Sequence, residues 1–224
     1  ADPLLEFTML LATLIQNVDH RGLSNKAMAR IHPTVSEVYQ NKSVSLQNAI
    51  AVSWRMLQDP SFEEFRSCIY TSEPTLKRFR HYLVNFVLAM DTESLGLRAC
   101  EPNTPTEIIN CVLRTSSIWY CVENWNLFQQ WNERFYEEQH KAFVEGTCGL
   151  HPAESWYADT IDFLNNVAIT LGEQCRQIGL PDYAQKSSKN LRFWTASGKT
   201  TVGRYLASAM AEGQTMSTWG STAS

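Results

Sequence analysis

The hydrophobic positions of this chain recur at three- and four-residue spacing almost from end to end, and a strict two-residue alternation is not found. That period predicts helices, since side chains three and four apart share one face of an α-helix. Residues 4–16 are apolar nearly all round, which predicts a central helix. Pro33 and the polar run 40–43 bracket a loop and a short helical piece. Ser43 is placed to cap a helix carrying Ala49, Ile50, Val52, Trp54 and Leu57. Ser61-Phe62-Glu63-Glu64 has the form of a capping box, in which Ser and Glu satisfy each other's free backbone N–H groups. A helix follows Ser72, with Pro74 in its first turn, and puts Leu76, Phe79, Leu83, Phe86, Val87 and Met90 on one face.

Thr104-Pro105-Thr106-Glu107 is a second capping box, with Pro at the first helical position. It opens a helix bearing Ile108, Ile109, Val112 and Leu113. From Asn124 a long helix is expected to turn Trp125, Phe128, Trp131, Phe135 and Phe143 inward and to stop at Gly146. Residues 155–178 read as a further helix closed by Gly179 and Pro181, and Asp182 is placed to cap a last one running toward Trp194. Twenty of the final 30 residues are Gly, Ser, Thr or Ala, which reads as a tail over 195–224 that is flexible or lies on another surface. The expected organisation is an all-α multi-helix bundle over 1–194 followed by that tail.

Composition narrows the classes. The 224 residues are 44% hydrophobic and include seven Trp, enough for a substantial core. No apolar run approaches the ~18 residues of a membrane span. A net charge of −4 with no basic stripe argues against a nucleic-acid partner. The six cysteines (68, 100, 111, 121, 148 and 175) form no C-x-x-C pair and read as scattered reduced thiols. An intracellular location is expected, cytoplasmic or in an organelle after loss of a targeting segment preceding Ala1. Gly198-Lys199-Thr200 hints at a phosphate-binding loop, but Phe193 stands where that motif needs Gly and no strand precedes it.

Chemistry-bearing residues gather where the first helix ends, in Leu14-Ile15-Gln16-Asn17-Val18-Asp19-His20-Arg21-Gly22-Leu23-Ser24-Asn25. This stretch resembles the second metal-binding motif of the class I 3′,5′-cyclic-nucleotide phosphodiesterases, L-I-H-D-[VIL]-D-H-x-G-x-x-N. Asp19, His20, Gly22 and Asn25 match it. Further likenesses follow in family order: Asn41-Lys42-Ser43-Val44 for the S-V-x-E segment, Ala89-Met90-Asp91 for A-T-D, and Trp131 through Glu138 for the W-x-x-x-x-x-E-E segment. The resemblance runs to about Trp194 and implies a fold like the C-terminal two-thirds of that catalytic domain.

It also implies a two-metal hydrolase using Zn and Mg, in which bridging hydroxide attacks the cyclic phosphate and a His protonates the leaving oxygen. Here the aligned metal-binding His and Asp are Gln16 and Asn17, and the last metal-binding Asp is Ser117. The outer Glu is Leu46, and the purine-reading Gln is Thr160, with Phe163 about where the purine-clamping Phe lies. The H-N-x-x-H motif of the family is absent from the chain. Neutral amide and hydroxyl groups bind hard dications far more weakly than carboxylate or imidazole. The expectation is therefore a pseudoenzyme without bound metal or other cofactor. Asp19, His20 and Asn25 would form a buried hydrogen-bonded turn and, with Leu46, Asp91, Thr160 and Phe163, would line a residual pocket. Such a chain would act as a structural or docking subunit, held to other protein subunits through residues 4–15 and the tail. The alternatives are a metal-dependent cyclic-nucleotide phosphodiesterase and a module that binds a nucleotide without cleaving it.

Overall fold

The computed structural model describes residues 2–91 and 102–220. Every regular element among them is helical. The chain divides into two units, Ala1–Ser117 and Ile118–Ser224.

The first unit contains α1 (Pro3–Ile15), α2 (Asn25–Ile31), α3 (Pro33–Val38), α4 (Val44–Leu57), α5 (Glu63–Ile69), α6 (Glu73–Ala89) and α7 (Pro105–Ser117). Asp2 starts α1: one carboxylate oxygen accepts from the Leu4 N–H at 3.2 Å and the other from Arg78 at 2.6 Å. α1 lies on α6, and a shared apolar cluster joins Ala12, Ile15, Phe79, Leu83, Phe86, Val87, Met90 and Leu113. Each large side chain buried there contributes roughly 1.5–3 kcal/mol. The face expected on α6 is the one buried.

α1 is not central, however. Its buried side is Thr8, Ala12 and Ile15, while Leu10 and Leu14 are 65% and 78% exposed. Thr104 caps its helix as the sequence predicts, Ser72 caps the helix expected to follow it, and the Thr104–Glu107 box is reciprocal: the Glu107 carboxylate takes the Thr104 N–H at 2.9 Å and the Thr104 hydroxyl takes the Glu107 N–H at 3.2 Å. The other two expected caps differ. Asp59, not Ser61, accepts the free N–H at the 3-10 turn Pro60–Phe62 before α5. Ser43 stands at the start of α4 with a left-handed backbone, and its hydroxyl goes to Asp91 instead.

The second unit contains α8 (Trp125–Val144), α9 (Trp156–Phe163), a π-helical turn over Leu164–Ala168, α10 (Ile169–Gln177) and α11 (Tyr183–Gly220). Asn124 caps α8 and Gly146 ends it at φ 72°; Gly179 closes α10 at φ 81°, and Asp182 caps α11. The buried stripe of α8 is Phe128, Asn132 and Tyr136; Phe135 is exposed and Trp131 half-exposed, so the inward face is rotated from the one expected. Asn132 is drawn in because its side chain accepts from the Trp156 indole N–H at 3.0 Å.

Residues 195–220 do not begin a tail. They continue α11, with Thr201, Val202, Tyr205 and Ala209 buried. Small residues are what the packing demands: a Cβ on Gly198 would fall 2.9 Å from Trp194 and Tyr157 side-chain atoms. Gly198, Lys199 and Thr200 are thus interior helix positions, and no phosphate-binding loop forms there. α11 packs on α10, where Gly172 admits the Ala184 backbone so closely that a Cβ would lie 2.3 Å from its nitrogen. Among the described residues no helix is long and apolar enough to cross a membrane.

Candidate functional site

α1 stops at Ile15 because Gln16 is its last hydrogen-bonded position, its N–H reaching the Ala12 carbonyl. The chain then turns tightly. Val18 N–H bonds to Ile15 at 2.9 Å and His20 N–H to Asn17 at 3.2 Å. Asp19 and Gly22 adopt positive φ of 56° and 66°, a conformation that Asp tolerates better than most side chains and Gly adopts freely. The turn ends where the Ser24 hydroxyl accepts from Ala27 N–H and starts α2.

Within this corner the expected buried network is not formed. Asp19 and His20 are exposed and Asn25 half-buried. Asp19 reaches α4, accepting from the Asn48 side chain at 2.9 Å, while His20 Nδ1 accepts from Gly22 N–H at 3.1 Å. Asp19 and His20 are thus satisfied apart from each other, one at the rim of α4 and the other within the turn.

Two of the substituted positions do meet. The Ser117 hydroxyl, at the end of α7, lies 3.0 Å from the Leu113 carbonyl and 3.5 Å from Gln16 Oε1. Gln16 Nε2 in turn donates to the Thr13 carbonyl at 3.2 Å. Gln16 and Ser117, 101 residues apart, thus make a neutral amide–hydroxyl contact. Asn17 is beside them in sequence but exposed. Asp91 is 5% exposed at the end of α6 and accepts from the Ser43 hydroxyl. Leu46 packs against the apolar cluster of α1 and α6, a setting that would penalise a carboxylate. Thr160 and Phe163 belong to the second unit, three residues apart on α9, Thr160 buried and Phe163 half-buried just before the π-helical turn.

The resemblance implies a pair of divalent ions, and the side chains present do not fit them. Amide and hydroxyl groups occupy the positions that would carry imidazole and carboxylate. Among the described residues no three His, Cys, Asp or Glu side chains gather closely enough to hold a metal ion.

A cleft of about 560 Å³ opens elsewhere in the first unit, between α4 and α6. Its walls include Ile50, Ala51, Trp54, Leu83 and Val84, with Arg55 and Arg80 at the edges. From periodicity alone Ile50 and Trp54 read as core. The signal that marks a groove is Arg80, which stands between Phe79 and Leu83 and lies over the Trp54 ring at 5.5 Å.

Comparison with known proteins agrees with this architecture. A family model described as 3′5′-cyclic nucleotide phosphodiesterase matches residues 1–179. The dual specificity calcium/calmodulin-dependent 3′,5′-cyclic nucleotide phosphodiesterase 1C of Homo sapiens is 22% identical over 141 residues, covering 59% of this chain and 20% of that protein. A probable 3′,5′-cyclic-AMP phosphodiesterase pde-4 of Caenorhabditis elegans is 22% identical over 149 residues, 58% of this chain and 22% of its own. The chain therefore spans about a fifth of the length of these curated relatives. The crystal structure of the phosphodiesterase domain of the Salpingoeca rosetta rhodopsin phosphodiesterase superposes with a TM-score of 0.71 at 19% identity, over 92% of this chain and 70% of that one. At that identity the likeness is one of fold. With the family match covering most of its length, and the helical architecture agreeing, the chain belongs to the 3′5′-cyclic nucleotide phosphodiesterase family.

Proposed function

We propose that this is a non-catalytic phosphodiesterase-like domain, acting as a structural or docking subunit of a larger assembly. The observation that carries the reading is the Gln16–Ser117 contact. Two neutral side chains hydrogen-bond where the family resemblance calls for metal-binding imidazole and carboxylate, and Leu46 packs against the apolar cluster that contains Ile15 and Leu113. Without activated hydroxide or a Lewis acid, the phosphodiester has no attacking group. Docking is supported by α1, which presents Leu10 and Leu14 to water, and by Met210, 55% exposed near the end of α11. A specific contact through these faces buries more than roughly 1,000 Å² in total. Cys68, Cys111, Cys121, Cys148 and Cys175 carry thiols rather than disulfides, which suits a reducing intracellular compartment.

The test compares the unmodified chain with a Gln16→His, Asn17→Asp, Ser117→Asp version, each assayed for hydrolysis of cyclic AMP and cyclic GMP with added Zn and Mg. Equilibrium dialysis against each nucleotide runs in parallel. The unmodified chain should show no turnover above background. Metal-dependent turnover overturns the reading in favour of an active phosphodiesterase. Tight nucleotide retention without turnover favours a binding module instead. Docking through α1 is tested by mass in solution: the chain alone should self-associate, and Leu10→Glu with Leu14→Glu should restore a monomer. A monomeric, cooperatively unfolding unmodified chain rules out that docking face.

A further inference from the structure

The cleft between α4 and α6 has the shape of a trough. On α4 its wall is the stripe Gln47, Ile50, Ala51, Trp54, Arg55 and Gln58; on α6 it is Arg80, Leu83, Val84 and Leu88. The stripe from Gln47 to Gln58, just past the end of α4, spans twelve residues, about 16 Å at the helical rise. Tyr39, just after α3, also lines it, and the trough is otherwise open to solvent. A small molecule would keep much of its surface in water there, whereas most pocket ligands are largely enclosed. A helix suits it better, because it can bury an apolar face between two others and keep its own polar face in solvent. The floor is Leu83, with Ile50, Ala51, Trp54 and Val84 half-buried above it.

Charge selects among helices. No carboxylate lines the trough. Arg55 and Arg80 stand exposed at its edges, and the ion pairs of the described residues join Lys77 to Glu73, Arg78 to Asp2 and Lys141 to Glu145, leaving both arginines without a carboxylate. Arg80 is held over Trp54 and is shared with an adjoining hollow of about 320 Å³, which adds Lys77 and His81. This edge is basic on a chain whose net charge is −4.

We propose that this trough docks an acidic amphipathic helix of a partner protein, its apolar face on Ile50, Ala51, Trp54 and Val84 and its carboxylates on Arg55 and Arg80. The assignment goes beyond the docking faces given above and is independent of whether the domain hydrolyses nucleotides.

The test uses the whole chain and fluorescently labelled synthetic peptides, each about 18 residues, long enough to cover the trough. One is an amphipathic Leu/Glu helix, one its twin with Lys for every Glu, and one the acidic composition scrambled. Binding is read by anisotropy, with dodecanoate titrated separately as a small anionic amphiphile. The acidic amphipathic peptide should bind at least about tenfold tighter than the other two, and the preference should weaken in high salt. Arg55→Glu with Arg80→Glu changes two exposed side chains and should reverse the preference toward the Lys peptide. Ala51→Trp should fill the trough and remove binding of both. Equal binding of all three peptides, or an unchanged preference in the charge-reversed chain, overturns the proposal. So does saturable dodecanoate binding without peptide binding, which marks a small-ligand site. So does a chain dimer dispersed by Ala51→Trp, which makes a second copy the occupant.

Discussion

The two units are held together by different means. The first relies chiefly on aliphatic and Phe side chains from α1, α6 and α7, with short polar side chains such as Thr8 and Thr115 bonded within their own helices, while Asn17, Asp19 and His20 at the turn after α1 are exposed. The second buries polar groups and fixes them. Asn190 donates to the Cys121 and Glu123 carbonyls at 3.0 and 2.9 Å, Ser187 to Cys121 at 3.3 Å, the Trp194 indole to Tyr157 at 3.1 Å and the Tyr205 hydroxyl to Gln129 at 3.0 Å. Trp194 and Tyr205, which make two of these bonds, are fully buried, and Tyr136 is buried beside them with its hydroxyl unpartnered. Losing one such partner strands a buried polar group, at about 1–3 kcal/mol. A change at the rim of the first unit leaves its groups to water. The difference teaches that in the first unit chemistry and fold are separable, which is how amide and hydroxyl side chains can occupy a metal-site pattern without harm to the packing.

The sharpest way to break this contrast is Trp194→Ala, which should cost about 3–5 kcal/mol by opening a cavity and leaving the Tyr157 carbonyl without its donor. Gly172→Ala follows. The added methyl meets the Ala184 backbone, which cannot swing aside as a side chain can, so roughly 3 kcal/mol is expected. Both are read as loss of the thermal unfolding midpoint. If either leaves the midpoint unchanged, the close packing of α10 and α11 is misplaced. Gly146→Ala, at φ 72° with open space around it, isolates backbone strain and should cost about 1 kcal/mol.

Smaller still is Ser117→Ala. The hydroxyl it removes is held by Leu113 and, at 3.5 Å, by Gln16, so the loss should be about 0.5–1 kcal/mol. A loss matching that of Trp194→Ala would make the Gln16–Ser117 contact structural and erase the contrast.

Thiol chemistry gives a further measure of the difference. Cys121 is fully buried, and burial pushes its thiol up to about 12. Thiolate is the reacting form, so native Cys121 should resist alkylation while exposed Cys68 in the first unit reacts readily. Mass spectrometry after a short iodoacetamide pulse distinguishes them.

The smallest expected effect is a pH dependence from His140, whose imidazole is held below the ordinary value of 6.5, first by burial and then by the facing His151 ring at 5.3 Å. The unfolded chain takes up this proton at higher pH than the folded one. Stability from this group is therefore complete above about 6.5 and falls as pH drops through that value. A midpoint that declines from pH 7.5 to 5.5 in the native chain (about one unit either side of 6.5), and declines less in His140→Gln, is the expected result.

Much was legible from residue order because it is settled within a few residues. Caps at Ser72, Thr104, Asn124 and Asp182, and stops at Gly146 and Gly179, each depend on one hydrogen bond or one φ angle close in sequence. The apolar face of α6 follows from its period, and the helical class and family follow from motifs in order. What the sequence left open depends on partners distant along the chain. The period of α8 is the same whether Trp131 or Asn132 points inward; the Trp156 indole bonded to Asn132, and the rings packed on Phe128 and Tyr136, lie far along the chain. Residues 195–220 have the composition of a loose segment, yet Gly198 fits closely beside Trp194 and Tyr157, Thr201, Val202 and Tyr205 are buried, and α11 runs on. The same composition that weakens a helix in isolation permits a close approach once aromatic rings supply the contacts. Ser43 and Asp91, 48 residues apart, and Gln16 and Ser117, 101 apart, became neighbours only through the packing of α1, α4, α6 and α7. Residue order specified the helices and their ends; which side chains met across them was decided by how those helices pack.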